Sequence, residues 1–201
     1  MKGVTFPNGP IKMAGNLHLP EDFSNDRRCT TIVCVHPAGG DKEQTAGLYA
    51  AKLADEGFVA LAYDASYQGE SSGEPRQEEA PYARVEDVRA AVDYSTTVES
   101  IDPQGICVLG ICSGGGYAIN AAMTDPRIKA VGAGSRDKSL HIVEGANHIA
   151  LYDTPEYVKQ ALAHLVPLYQ NAGKASLAST FVGPLSAHAA TNVAKSPASP
   201  A

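Results

Sequence analysis

Gly105-Ile106-Cys107-Val108-Leu109-Gly110-Ile111-Cys112-Ser113-Gly114-Gly115-Gly116 decides the reading of this chain. Residues 105–111 form a short, nearly all-apolar run, the pattern of a strand buried on both faces of a parallel sheet. A small-residue segment, Gly114 to Met123, reads as a helix ended by Asp125-Pro126. Between strand and helix sits Gly-x-Cys-x-Gly, the pattern of a nucleophile elbow with Cys112 at the nucleophile position. A sharp strand-to-helix turn exposes such a side chain, and small neighbours let the backbones approach. The helix N-terminus favours a thiolate, and the N–H of Ser113 can donate to an oxyanion. A phosphate-binding loop is the weaker reading, because no Lys follows the glycines and GxGxxG spacing is absent. Ser113 as nucleophile would put Ile111 where the elbow requires Gly. A cysteine that merely fits a tight turn is the bland alternative.

Outward from the elbow, strand and helix patterns alternate. Residues 1–20 read as a hairpin turning at Pro7-Asn8-Gly9-Pro10. Thr30 to His36 is a buried strand. Asp41 and Gln44 have capping-box spacing for a helix that ends at Gly57, with Leu48, Ala51 and Leu53 inward. Phe58 to Tyr63 is the next strand, followed by a polar Gly- and Ser-rich loop from Asp64 to about Pro81. Val85, Val88 and Val92 mark one helix face. Asp102-Pro103 breaks the chain before the elbow strand. Ile128 to Ala133 and Leu140 to Val143 are further short strands. Thr154-Pro155 opens a last helix, with Val158, Leu162 and Leu165 inward and Pro167 as its limit. From residue 171 the composition turns to Ala, Ser, Pro and Thr, which reads as a flexible tail after a domain of residues 1–170. The pattern specifies an α/β domain with a doubly wound, mainly parallel sheet, its cleft at the carboxyl ends of the strands.

Composition narrows the function classes. The 201 residues are 44% hydrophobic and 19% charged, enough for one packed core, and 16 Lys plus Arg against 22 Asp plus Glu give a net charge of −6. An acidic chain with scattered basic residues is a poor nucleic-acid binder. No apolar run approaches the ~18 residues of a membrane span, and the N-terminus does not read as a signal peptide. Cys29, Cys34, Cys107 and Cys112 lack zinc-site spacing. Cys34 and Cys107, inside apolar strands, read as small buried hydrophobes. These features point to a cytoplasmic protein without metal or cofactor.

Two further segments complete the candidate site. His36-Pro37-Ala38-Gly39-Gly40 follows the first buried strand, where an elbow-type enzyme draws its second oxyanion N–H, from Ala38 or Gly39. Gly145-Ala146-Asn147-His148 precedes the last helix and offers His148 as general base.

The chain resembles the α/β-hydrolase superfamily, and within it dienelactone-hydrolase-like proteins with the related YcjY-type and polyketide-transferase-like hydrolases. The resemblance is carried by VHPAGGDKEQTAGLYAAKLADEGF, ALAYDASYQGES, GICSGGGYAINAAMTDPRIKAV and EGANHIALYDTPEYV. It implies a Cys112 nucleophile, a His148 base, and Ser113 with Ala38 at the oxyanion hole. The reaction implied is hydrolysis or acyl transfer on an ester, lactone or thioester, with a small-molecule acyl substrate as partner. The superfamily order is nucleophile, acid, histidine. Only residues 134–139 separate the strand at 128–133 from the one at 140–143, so the usual cap and penultimate strand are lacking and Asp137 is the nearest candidate acid. Asp64 is a lesser candidate, better read as a loop anchor. Six residues reach roughly 20 Å, too little for a parallel crossover of a dozen or more residues. The segment 140–143 is therefore expected to pair antiparallel or to leave the sheet, and an antiparallel partner would carry His148 away from Cys112. The competing expectation is accordingly a catalytically impaired, shortened relative without a working triad. A bared sheet edge also invites a homodimer.

Overall fold

The computed structural model describes residues 1–24, 26, 28–132 and 150–175. Six strands form one sheet, β1 (Lys2–Asn8), β2 (Ile11–His18), β3 (Cys29–Val35), β4 (Val59–Tyr63), β5 (Ile101–Gly110) and β6 (Ile128–Gly132), in the order β1-β2-β4-β3-β5-β6. β1 and β2 pair antiparallel, β2 pairs antiparallel with β4, and β4, β3, β5 and β6 run parallel. This is the α/β-hydrolase arrangement, and the doubly wound reading of the sequence holds. The hairpin turns on Gly9-Pro10 alone, with Gly9 at φ +54, where a side chain would be strained. Pro7 lies within β1, at the sheet edge, where a missing N–H is tolerated.

Every residue of β4 is buried, as expected of a strand covered on both faces. One face carries α2 (Pro81–Thr97) and α3 (Ser113–Thr124), whose Val85, Val88, Val92, Ala118 and Ala121 pack with Val33, Val35, Val108 and Val131. The other carries α1 (Thr45–Asp55) and α5 (Pro155–Ala175), whose Leu53, Val158, Leu162 and Tyr169 pack with Ile32, Cys34 and Leu109. A one-turn helix, α4 (Ala150–Asp153), precedes α5.

Four local expectations change. Asp41 does not begin α1. Its Oδ1 accepts the N–H groups of Glu43 and Gln44 in a turn ahead of the helix, which starts at Thr45. The buried face of α1 is Ala46, Tyr49, Ala50, Leu53 and Ala54, with Leu48 and Ala51 only half-buried. Asp102-Pro103 lies inside β5, where the pairing shifts from Cys29↔Ile101 to Thr31↔Ile106; the bulge absorbs the proline without ending the strand. Pro167 lies inside α5, which runs on to Ala175. The segments read as the strand 140–143, Asp137 and His148, and the tail beyond residue 175 lie outside the described residues. Among those described, no strand follows β6 and no helix is long and apolar enough to cross a membrane.

Candidate active site

Cys112 stands between β5 and α3 as the N-cap of α3, with φ 55 and ψ −123. A non-glycine residue in that region is strained and persists only where its surroundings over-determine it. The glycines supply that determination. A Cβ on Gly110 would lie 2.4 Å from the Gly114 carbonyl oxygen, and one on Gly114 would lie 2.5 Å from the Val35 carbonyl oxygen. The elbow therefore closes only with glycine on both sides of Cys112. Cys112 is exposed, whereas Cys29, Cys34 and Cys107 are buried. Burial pushes the thiols of Cys34 and Cys107 up to about 12, which makes them inert small hydrophobes.

The β3–α1 loop lies against the elbow. The Ala38 N–H donates to Ser113 Oγ at 2.7 Å. The Gly39 N–H helps to hold the Glu79 carboxyl below its ordinary pKa. One of the two backbone donors expected of this loop, that of Ala38, is thus engaged by a neighbouring side chain. Glu79 accepts from Tyr117 Oη at 3.0 Å and from Gln68 Nε2 at 2.8 Å. Burial alone would raise its pKa; the Arg84 charge and these hydrogen bonds reverse that and hold the carboxyl below its ordinary value. Arg84 reaches Glu79 at 3.3 Å, donates from Nη2 to the His36 carbonyl oxygen at 2.6 Å, and lies 5.0 Å from the Tyr117 ring centroid.

His36 is a structural residue. Its Nε2 accepts the Ala65 N–H at 3.1 Å, so Nδ1 carries the proton and donates to the Pro37 carbonyl oxygen at 2.6 Å. Burial, then the Arg84 charge, lower its pKa to about 4. Asp64 is a loop anchor, as its position at the end of β4 suggested. It accepts from Lys42 N at 2.9 Å, Lys42 Nζ at 2.8 Å and Glu70 N at 2.8 Å. Burial opposes the charge on Lys42, but its bonds to Asp64, Glu43 and Glu70 raise its pKa.

α4 brings a residue that the sequence reading missed. The Tyr152 hydroxyl hydrogen-bonds to Cys112, and this bond, with burial and the Cys112 charge, raises the phenol's pKa. Tyr49 Oη, from α1, donates to the Leu151 carbonyl oxygen at 3.0 Å and tethers α4. Four residues after His148, the chain is thus at the elbow rather than at the opposite end of the sheet. Glu79, Arg84 and Tyr117 also went unread. Their one signal was Arg84 itself, a charge in register with Val88, Ala91 and Ser95 on the buried face of α2. Among the described residues no group of His, Cys, Asp or Glu could hold a metal ion.

The model of the dienelactone hydrolase family matches residues 14–135. The chain belongs to the dienelactone hydrolase family. It is 54% identical over 125 residues to the uncharacterized protein YcjY of Escherichia coli K12, covering 62% of this chain and 41% of that protein. The crystal structure of the hypothetical protein PA2218 of Pseudomonas aeruginosa superposes with a TM-score of 0.61 at 44% identity, over 65% of this chain and 40% of that one. The thiohydrolase aneE of Aspergillus aculeatus is 31% identical over 121 residues, 60% of this chain and 36% of that protein. Solved α/β hydrolases of lower identity share the fold. The chain spans about two fifths of the length of these relatives.

Proposed function

We propose that this protein is a hydrolase or acyltransferase that acts on an ester, lactone or thioester through Cys112. The observation that carries the reading is the exposed Cys112 at positive φ at the head of α3, between two glycines that cannot carry a side chain. Membership of the dienelactone hydrolase family and the kinship with a thiohydrolase support the same chemistry. In this reading the Cys112 sulfur attacks the substrate carbonyl carbon and the carbonyl π pair moves to oxygen. The intermediate then collapses to an acyl-cysteine as the C–O or C–S bond to the leaving group breaks. A water molecule or an acceptor hydroxyl or thiol then takes the acyl group and restores the thiol.

His148 is the proposed base and Asp137 the proposed acid. Support for His148 comes from Tyr152, which touches Cys112. Only Ile149 separates His148 from Ala150 at the start of α4, and two chain steps span at most ~7 Å. A soluble acyl substrate taken up in the cytoplasm fits this chemistry.

A shortened relative without a working triad is the second reading. The specific observation behind it is the six-residue interval 134–139 where the family order calls for an acid-bearing segment. One assay separates the two. Purified, monodisperse protein is given p-nitrophenyl acetate and an acyl thioester, with Cys112→Ala as control. The enzyme reading expects turnover that the substitution abolishes. Absence of both turnover and stoichiometric acylation at Cys112 in the wild type would overturn it.

A further inference from the structure

We propose that His36 is a positioning residue of the reaction: its ring holds the Pro37 carbonyl so that the N–H of the same peptide unit, that of Ala38, is aimed at the elbow. The inference rests on the acyl-transfer reading of Cys112, in which the Ala38 N–H donates to the substrate oxyanion. The Pro37 carbonyl and the Ala38 N–H share one planar trans peptide, so they point in opposite directions. Whatever fixes the carbonyl therefore fixes the N–H. Two donors converge on that carbonyl, His36 Nδ1 at 2.6 Å and the Gly40 N–H at 3.0 Å. On the opposite side the Ala38 N–H meets Ser113 Oγ at 2.7 Å, on the residue that follows Cys112.

The ring is itself held from outside the loop. Its Nε2 accepts the Ala65 N–H at 3.1 Å, just past the end of β4. The His36 main-chain carbonyl accepts from Arg84 Nη2, on α2, at 2.6 Å. The proline between His36 and Ala38 adds a fixed φ, which removes one of the rotations by which the loop could turn. His36 and Pro37 are buried, whereas Ala38 is exposed. The anchors thus lie beneath the loop and the donor lies on its open side. A wholly buried ring does not meet substrate. It takes no proton in the reaction and acts only through the direction of the Ala38 N–H, a preorganised donor of the kind that stabilises an oxyanion.

Two substitutions and two reactions of the same thiol test this. Gln places an amide oxygen near the site of Nε2, which can still accept from Ala65, but leaves nothing at Nδ1 to hold Pro37. Asn places an amide N–H near the site of Nδ1 and keeps the Pro37 bond. Acylation by p-nitrophenyl acetate builds an oxyanion; alkylation by iodoacetamide displaces iodide at a methylene carbon and builds none. A misplaced catalytic group costs up to roughly 10²-fold. His36→Gln is expected to lower kcat for acylation by about 10- to 10²-fold with KM little changed, and to leave alkylation of Cys112 within about twofold. His36→Asn is expected to recover most of that loss. Acylation unchanged in His36→Gln, or lost as deeply in His36→Asn, would overturn the proposal. So would an equal fall in both reactions, or unfolding of either variant, seen as alkylation of all four thiols, since the ring would then serve the fold alone. A wild type that alkylates but never acylates would instead sink the acyl-transfer reading itself, and this inference with it.

Discussion

The guanidinium of Arg84 donates to the main-chain carbonyl oxygen of His36 at 2.6 Å. Arg84 is 1% exposed and His36 wholly buried. This bond ties the first turn of α2 to the end of β3, where the loop facing the elbow begins. Arg84 also meets Glu79 and Tyr117, so one side chain joins three segments around Cys112. Arg84→Met keeps much of the volume but leaves the His36 carbonyl and Glu79 without their charged partner. The expected loss is about 2–3 kcal/mol of unfolding free energy, within the range for disrupted buried polar pairs. Urea denaturation of the wild type and Arg84→Met checks it; an unchanged midpoint would show that the network contributes nothing to stability.

His36 gives a pH dependence with a definite sign. Its folded pKa is near 4, below the 6.5 of a free histidine, because the buried ring beside Arg84 resists a second proton. The unfolded chain therefore binds that proton first. Stability from this group is complete above pH 6.5 and is lost as pH falls from 6.5 toward 4, by about 3 kcal/mol in all. Ring resonances of His36 followed by NMR should show no titration between pH 7 and 5. A midpoint near 6.5 would contradict the buried, singly protonated ring.

How far the sequence revealed this architecture follows from the range of each interaction. The hairpin, the buried strands β3, β4, β5 and β6 and the valine face of α2 are written in local periodicity, and each appears close to where the pattern put it. The elbow is legible because its glycines and cysteine are contiguous. Pro103 and Pro167 misled, since a bulge in β5 and the continuation of α5 override a local breaker. The partners of Ser113, Glu79 and Tyr152 were not legible. Ala38 and Ser113 are 75 residues apart, and Glu79 and Tyr117 are 38 apart; only the crossing of β3, β5, α2 and α3 brings them together.

The cysteines should separate cleanly by reactivity. Cys112 is exposed at a helix N-terminus, while burial holds Cys34 and Cys107 near 12 and Cys29 is enclosed. Titration with a chromogenic disulfide at pH 7 is expected to label one thiol in the native protein and four in denaturant. Mass mapping of the fast label to any cysteine other than Cys112 would refute the assignment of exposure.

The glycines around the elbow are not equivalent, although three stand in a row. Gly114→Ala places a methyl 2.5 Å from the Val35 carbonyl oxygen and 2.9 Å from that of His36. Both are backbone atoms that cannot swing aside, so a loss of about 3 kcal/mol or more is expected. Gly116→Ala meets nothing within 4 Å and should gain up to about 1 kcal/mol from helix propensity. Thermal melts of the two variants are therefore expected to move in opposite directions, and a shared direction would break the argument.

Cys112 itself is where stability and chemistry should oppose one another. At φ 55 and ψ −123 its backbone is one that glycine adopts freely and a β-carbon resists. The strain is of order 1–3 kcal/mol. Replacing the side chain with hydrogen relieves it, although the unfolded chain gains freedom that offsets part of the relief. It also removes the bond to Tyr152. Cys112→Gly is expected to be more stable than Cys112→Ala by about 1 kcal/mol in urea denaturation, with both inactive toward acyl esters. Equal stability of the two variants would mean that the elbow holds no strain, and that the exposure of Cys112 comes without the energetic penalty its backbone angles imply.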